Sequence, residues 1–307
     1  MARIASVNVS GARGMAKHPV ESAEAEVDAG LAGDGHAGPG DRQLSLLSTI
    51  SMELMQTRGV RGVEYGCCGE NLDIRGTELH TLLPDAELAL GDGVRVRVTG
   101  IGKDNSDGHA DDVIEGNIFP EQGAFARVVR GGVLSPGMEV GFPSDRFRAG
   151  VLTASDSVSR GEREDGSGPL LLSLLRDAEY AVIRYAASAD DPHALRRRLS
   201  LWCDDGSLDL LLTTGGTGLS PRDNTPEATE AVTGRRVPGI SEMLRSMSAE
   251  KVPTAWLSRG TAGVRGGTLI VNLPGSRKAV EECLGFLLPI LGHALEVLRG
   301  DVSRCGG

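Results

Sequence analysis

Short alternations of apolar and polar residues run through the first half of the chain: RIASVNV near the start, AELAL at 86–90, VRVRVTGIG at 94–102 and FARVVRGGVL at 125–134. Alternation over a few residues between Gly-rich turns is the period of a half-buried strand. It predicts a mainly β half folded as a barrel-like sheet, with one helix over Thr49–Thr57. At GFPSDRFR, residues 141–148, the pattern stops in a polar stretch with Gly and Pro, which reads as a linker over 144–148. Beyond it the period changes. AGVLTAS, YAVIRYAA, LDLLLTTGG and GTLIVNLP read as strands. SGPLLLSLLRDA, DPHALRRRLSLWC, TPEATEAVTG, ISEMLRSMSAEK and a last stretch from Arg277 to Arg299 read as helices. Strands alternating with helices predict an α/β domain over 149–307 with a mostly parallel sheet covered on both faces.

The polar loops now acquire a meaning. Ligands of open α/β sheets collect outside the carboxyl ends of the strands. SDSVSRGEREDGSGP, TGGTGLSPRDNTP and NLPGSRK each follow a strand, so all three are expected to open on one edge. The glycines of TTGGTG either turn the chain or let another molecule approach the backbone. Thr225, Pro226 and Glu227 read as a helix start with Thr225 as N-cap. A loop of bare amides leading into a helix favours anions, but it is neither a P-loop nor a dinucleotide fingerprint. Asp223 beside such a cradle calls for a bound cation, and Arg222 can face a phosphate; the alternative is a surface Arg–Asp pair in a turn. In NLPGSRK, Asn272, Pro274 and Gly275 make the turn, and Ser276 with Lys278 opens a helix. The first loop offers Ser155, Asp156, Ser159, Asp165, Ser167 and Gly168.

Composition narrows the classes. The chain has 307 residues and a net charge of -10, which argues against nucleic acid as a partner. Residues 1–148 carry 14 basic and 22 acidic side chains against 18 and 20 in the rest. No apolar run approaches a membrane span and the first thirty residues lack a secretory pattern, so a cytoplasmic protein without a membrane partner is expected. Five cysteines, Cys67, Cys68, Cys203, Cys283 and Cys305, include no CxxC and suit a reducing compartment.

SDSVSRGEREDGSGP, LLTTGGTGLSPRDNTPEA, LSRGTAGVRGGTLIVNLPGS and a closing helix with LLPILGHAL occur in order over 149–300. On these motifs the second half resembles the molybdopterin adenylyltransferase family of the MogA/MoaB type. The resemblance implies an α/β fold, commonly a homotrimer. Such an enzyme uses ATP with Mg²⁺ to adenylylate molybdopterin and releases pyrophosphate, and a molybdenum-insertion protein is then a partner. It further implies that Gly215, Gly216, Thr217 and Gly218 line the nucleotide phosphates, with Ser155, Asp156 and Arg222 nearby. Asp223 would bind Mg²⁺ or position the reacting phosphate, and Asp209 and Asp190 would be functional acids. Ser258, Arg259, Asn272, Pro274, Gly275, Ser276 and Lys278 would contact pterin or phosphate. Two departures stand out: Ala189 precedes Asp190 where relatives show Pro, and Ser276 replaces Asn or Gln.

GLAGDGHAGPGDRQLSLLS, CCGENLDIRG, GDGVRVRVTGIGK and EQGAFARVVRGGVLSPGMEV make residues 1–143 similar to the MOSC domain. That resemblance implies a barrel-like sheet that binds the cofactor or carries sulfur for it. The candidate pocket residues are Asp34, His36, Arg42, Glu70 and Asn71, either around a ligand or as loop-fixing hydrogen bonds. Where fused relatives carry cysteines after the IGK strand, this chain has Asn105, His109 and Asn117. Only Cys67 and Cys68 remain as thiols for sulfur transfer by this half. Besides the transferase, a non-catalytic cofactor carrier or sensor stays open.

Overall fold

The computed structural model describes residues 1–13, 15–102 and 114–300; Asn105, His109 and Cys305 lie outside the described residues. The chain divides into two compact units, Met1–Pro143 and Ser144–Gly307.

The first unit contains β1 (Ala2–Val9), β2 (His18–Val20), β3 (Ala23–Glu26), β4 (Gly30–Leu31), β5 (Leu44–Ser48), β6 (Leu72–Arg75), β7 (Glu87–Leu90), β8 (Val94–Ile101), β9 (Ala124–Arg130), β10 (Gly132–Leu134) and β11 (Glu139–Gly141). Helix α1 (Thr49–Thr57) follows β5 and the single turn α2 (Phe119–Gln122) precedes β9. Strands β11, β7, β8, β9, β5, β6 and β1 pair in that order, and β11 pairs back to β1, closing a seven-stranded barrel. Closure leaves those strands without a free edge. Inward positions of β1, β7 and β8 carry the apolar residues of the alternation, such as Ile4, Leu88, Val94 and Val96, all buried. The β5–β6 pair is the parallel one and α1 makes its crossover. Ser48 starts α1 by accepting the Ile50 amide. Strand β2 adds beside β1, while β10, β3 and β4 form a small separate sheet.

The second unit has β12 (Arg148–Ala154), β13 (Ala181–Ser188), β14 (Leu210–Thr214), β15 (Arg235–Arg236), β16 (Ala262–Arg265) and β17 (Thr268–Leu273) in the order β13-β12-β14-β17-β16-β15. The first four in that order are parallel; β16 and β15 run antiparallel at one edge. Helices α3 (Asp156–Ser159), α4 (Gly168–Asp177), α5 (Pro192–Asp204), α6 (Thr225–Val232), α7 (Pro238–Ala249) and α8 (Arg277–Arg299) complete it. LLL of β14 and LIV of β17 are buried throughout, as befits central parallel strands. Among the described residues no helix is long and apolar enough to cross a membrane.

Asp209 lies just before β14, at the amino end of the sheet. Its carboxylate accepts Arg148 Nε at 3.0 Å and Nη2 at 2.9 Å, and Arg299 Nε at 3.1 Å and Nη2 at 2.7 Å. This pins the last turn of α8 to the start of two strands. Burial alone would push Asp209 up, but the two guanidiniums more than offset it and bring its pKa down to about 2. A depressed folded-state pKa contributes stability that is present above the unfolded value near 3.8 and is lost as pH falls through about 2. Asp209→Asn is therefore expected to lower the melting temperature at pH 7 and to cost progressively less as pH falls through about 2, as read from thermal unfolding across pH.

Candidate functional site

Because β12, β13, β14 and β17 are parallel, their carboxyl ends lie level: Thr153 sits opposite Thr214, Thr214 opposite Leu273, and Ala154 opposite Ser188. The loops 155–167, 189–191, 215–224 and 274–276 therefore leave one edge together. Gly215 (φ +94°) and Gly216 (φ +61°) lie in the left-handed region that side chains avoid. A Cβ on Gly215 would stand 2.3 Å from the Ala154 carbonyl oxygen, and one on Gly275 would stand 3.3 Å from the Gly215 Cα. The 215–218 and 274–276 loops thus meet backbone to backbone, and Thr214 Oγ1 donates to the Pro274 carbonyl at 2.8 Å.

Three carboxylates gather beside this contact. The Asp156 amide donates to Asp190 Oδ2 at 3.1 Å, and the Asp190 amide returns the bond to Asp156 Oδ1, also at 3.1 Å. Asp190 Oδ1 is buried with no hydrogen-bond partner. Burial pushes the Asp190 carboxyl up, the Asp156 amide draws it partly back, and the charges of Asp156 and Asp223 push it up further. Asp223 Oδ2 accepts the Ser220 amide at 3.0 Å, closing the Ser-Pro-Arg-Asp turn, while Asn224 Nδ2 donates to the Asp190 carbonyl at 3.1 Å. Helix α6 begins one residue earlier than its sequence suggests: Asn224 is the N-cap and Thr225 the first helical residue. Thr225 Oγ1 is left buried and unpartnered, next to Gly216.

Arg222 ion-pairs with Asp156 on the solvent side. Arg259 clamps the glycine loop: Nε donates to the Gly218 carbonyl at 2.7 Å, Nη2 to the Asp223 carbonyl at 2.5 Å, and Nη1 pairs with Glu227. It shapes the cradle and spends its donors inside the protein. Asn272 does likewise, donating to Thr213 and Thr229 Oγ1, both at 2.9 Å, and accepting the Thr261 amide. Asp209 does not join the site, because the start of β14 is at the opposite end of the sheet; its role is the arginine pairing. Ser155 caps the single turn α3, and Ser276 caps α8 by accepting the Ala279 amide at 3.3 Å. Thr217, Gly218, Ser258, Pro274, Ser276 and Lys278 line the polar side of a cavity of about 500 Å³, whose other wall includes Leu244 and Leu257.

The inner support of the first loop is Asp165, which the sequence offers only as one polar residue of that loop among several. Asp165 accepts Thr153 Oγ1 at 2.5 Å, Tyr185 Oη at 2.6 Å and the Ser167 and Gly168 amides. Burial raises its pKa and these donors more than reverse that, holding it below the usual range. Only the polar run itself could have signalled it.

In the first unit, Asp34 and Asn71 meet. Asp34 accepts Asn71 Nδ2 at 3.1 Å, the Ser10 amide at 2.9 Å and the buried ammonium of Lys17 at 2.6 Å. Lys17 is absent from the sequence-based set. His36 lies in the turn closed by the Ala37 amide on the Asp34 carbonyl. Glu70 does not frame an anion: its oxygens accept the Gly66 and Cys68 amides, each at 2.8 Å, and fix that turn. Arg42 sits apart, its guanidinium 5.0 Å from the Phe125 ring centroid, beside a cavity of about 430 Å³ that includes Asp41 and Thr99.

Comparison with known proteins matches residues 150–293 to a family described as a probable molybdopterin binding domain. A Helicobacter pylori protein named molybdopterin adenylyltransferase is 42% identical over 159 residues, 50% of this chain and 89% of its own. The Drosophila melanogaster molybdenum cofactor synthesis protein cinnamon is 41% identical over 156 residues, covering 50% of this chain and 26% of that protein. A solved structure from Thermus thermophilus, described as the molybdopterin biosynthesis enzyme MoaB, has 49% identity and a TM-score of 0.48 over 50% of this chain and 97% of that one.

Gly215→Ala puts a methyl into the Ala154 carbonyl and forces a positive φ on alanine. It is expected to cost about 1–3 kcal/mol, measured by urea unfolding. Gly267→Ala, where a Cβ meets nothing within 4 Å, serves as the neutral comparison.

Proposed function

The chain belongs, through residues 150–293, to the family of molybdopterin-binding domains, and on that premise we propose that its second unit transfers the adenylyl group of ATP to molybdopterin. A phosphate oxygen of the pterin joins the α-phosphorus, the bond from that phosphorus to the β-phosphate breaks, and pyrophosphate leaves with the electron pair. The observation that carries the reading is the edge itself: a glycine-rich cradle over 215–218 next to a buried carboxylate oxygen with no partner.

Two polyanions brought to an acidic cluster need a cation between them. Asp190 Oδ1 lacks any protein donor, and Asp156 and Asp223 are close enough to raise its pKa, so these residues fit Mg²⁺. No group of three or more His, Cys, Asp or Glu is arranged to hold a metal alone among the described residues. That suits Mg²⁺, which takes one or two carboxylates and completes its shell with phosphate oxygens and water. When bound it would offset the charge that builds on the departing pyrophosphate. The chain itself positions. Amides of Gly216, Thr217 and Gly218 face the nucleotide phosphates, Gly215 lines them without a side chain while its amide donates to the Leu273 carbonyl, and Arg259 holds the loop in shape. The amino end of α8 with Lys278 attracts the pterin phosphate, and the half-apolar cavity takes the pterin ring, being of ordinary ligand-site volume. Catalysis is then orientation plus charge neutralisation.

The exposed apolar side chains Val252, Trp256 and Leu257, between α7 and β16, support a homotrimer in which they are covered. For the first unit we propose a MOSC domain that holds the cofactor or its precursor, a reading supported by the motif order and by the closed barrel. The product would pass to a molybdenum-insertion protein.

The 307-residue chain with molybdopterin and Mg-ATP is expected to release pyrophosphate and form adenylyl-molybdopterin in equal amounts. Asp223→Asn and Asp190→Asn should each lower kcat by roughly 10²–10³, while Asp209→Asn should keep the rate per folded molecule. Pterin binding without pyrophosphate would replace the transferase with a carrier. By light scattering the mass should be three chains, falling to one in Trp256→Glu.

A further inference from the structure

The geometry points to a soft-metal site in the first unit: we propose that Cys67, Cys68 and Met55 bind one Cu(I) ion. Cys68 Sγ lies 3.7 Å from Cys67 Sγ and 4.0 Å from Met55 Sδ. Metal–sulfur bonds of about 2.3 Å put two sulfurs of one ion about 3.8 Å apart at a tetrahedral angle and about 4.0 Å at a trigonal one. Cys68 Sγ thus stands at a chelating separation from each of the other two sulfurs.

The turn that presents them is built, because both oxygens of the buried Glu70 are occupied by the Gly66 and Cys68 amides. Gly66 (φ +85°) has no room for a side chain, since a Cβ would stand 2.4 Å from the Lys17 carbonyl oxygen. Among the described residues no third His, Cys, Asp or Glu completes a set around the two thiols, so a four-coordinate zinc site lacks its ligands. Two thiolates and a thioether, few in number and all soft, are the donors that select Cu(I).

The surroundings agree. Cys68 and Met55 are buried in a cluster with Leu47, Met52, Ile118 and Phe119, while Cys67 is half-buried at its edge. That gives the ion an entry through Cys67 and an apolar shell behind it, and an apolar shell governs solvent access and redox potential. Binding is a ligand exchange with no change in oxidation state. Two metal–sulfur bonds form to the thiolates and a third to the thioether, and each thiol gives one proton to solvent. The proposal uses no residue of the second unit, so it stands or falls apart from the adenylyl transfer.

The test is anaerobic titration of the full chain with Cu(I) against the chromogenic chelator bicinchoninate. Wild type is expected to take one more equivalent than a Cys67→Ser/Cys68→Ser double variant, in which the other thiols remain as internal controls. Met55→Leu, which keeps the core volume and both thiols, is expected to bind at least about tenfold more weakly. Cys67→Ser alone, at the half-buried position, should also lose the tight equivalent while melting like wild type. Equal copper uptake by wild type and the double variant would overturn the site. An unchanged affinity in Met55→Leu would overturn the three-sulfur assignment, as would Zn²⁺ binding at the same sulfurs in preference to Cu(I).

Discussion

The carboxyl edge of the second unit depends on one close approach, that of Gly215 to the Ala154 carbonyl and to Gly275. Parallel pairing sets β12, β14 and β17 level, but level strands alone leave their loops a side chain apart. Removing the Cβ atoms lets two loops share a surface made of backbone. Amides so exposed suit phosphate, which is what the proposed nucleotide site requires. The buried Thr214–Pro274 hydrogen bond and the Arg259 clamp secure the same contact from below and from the side.

That geometry creates an electrostatic problem and also its answer. Asp156 and Asp223 push Asp190 up, while Arg222 ion-pairs with Asp156 and only partly offsets the charge on Asp190. In the first unit the buried carboxylate Asp34 is instead paired with Lys17 at 2.6 Å. One acidic group is finished by the protein, while Asp190 Oδ1 has no protein partner. The contrast separates a structural acid from a binding one better than burial does.

Much of this is legible in the sequence. Helices at Thr49–Thr57 and Arg277–Arg299 occupy the positions their patterns predict, because their caps and apolar stripes are local. The three loops share an edge because alternation of helix and strand leaves a parallel sheet no other choice. Asp209 is the exception, although the distance can be counted along the chain: six strand residues at about 3.3 Å each place it roughly 20 Å from Gly215, beyond reach of the same phosphate. Partnership across the chain is what a sequence conceals. Nothing local marks Lys17 as buried, Arg259 as a clamp, or Glu70 as the support of the Cys67–Cys68 turn. Each depends on groups that meet through the fold.

Unsatisfied polar atoms extend the argument to energetics. A buried acceptor or hydroxyl without a partner costs about 1–3 kcal/mol, and two of them, Asp190 Oδ1 and Thr225 Oγ1, sit where the glycine loop enters α6. Stability alone would favour filling that space, and the Gly216 position could admit no side chain without touching both. The fold instead leaves the acceptor and the hydroxyl together beside Gly216 and recovers the cost elsewhere, in the buried apolar strands β14 and β17 and in the arginine-pinned end of α8. A ligand that supplies the missing partners gains the desolvation the protein has already undergone, so binding at this edge should be strong for a metal–phosphate pair and weak for either component alone.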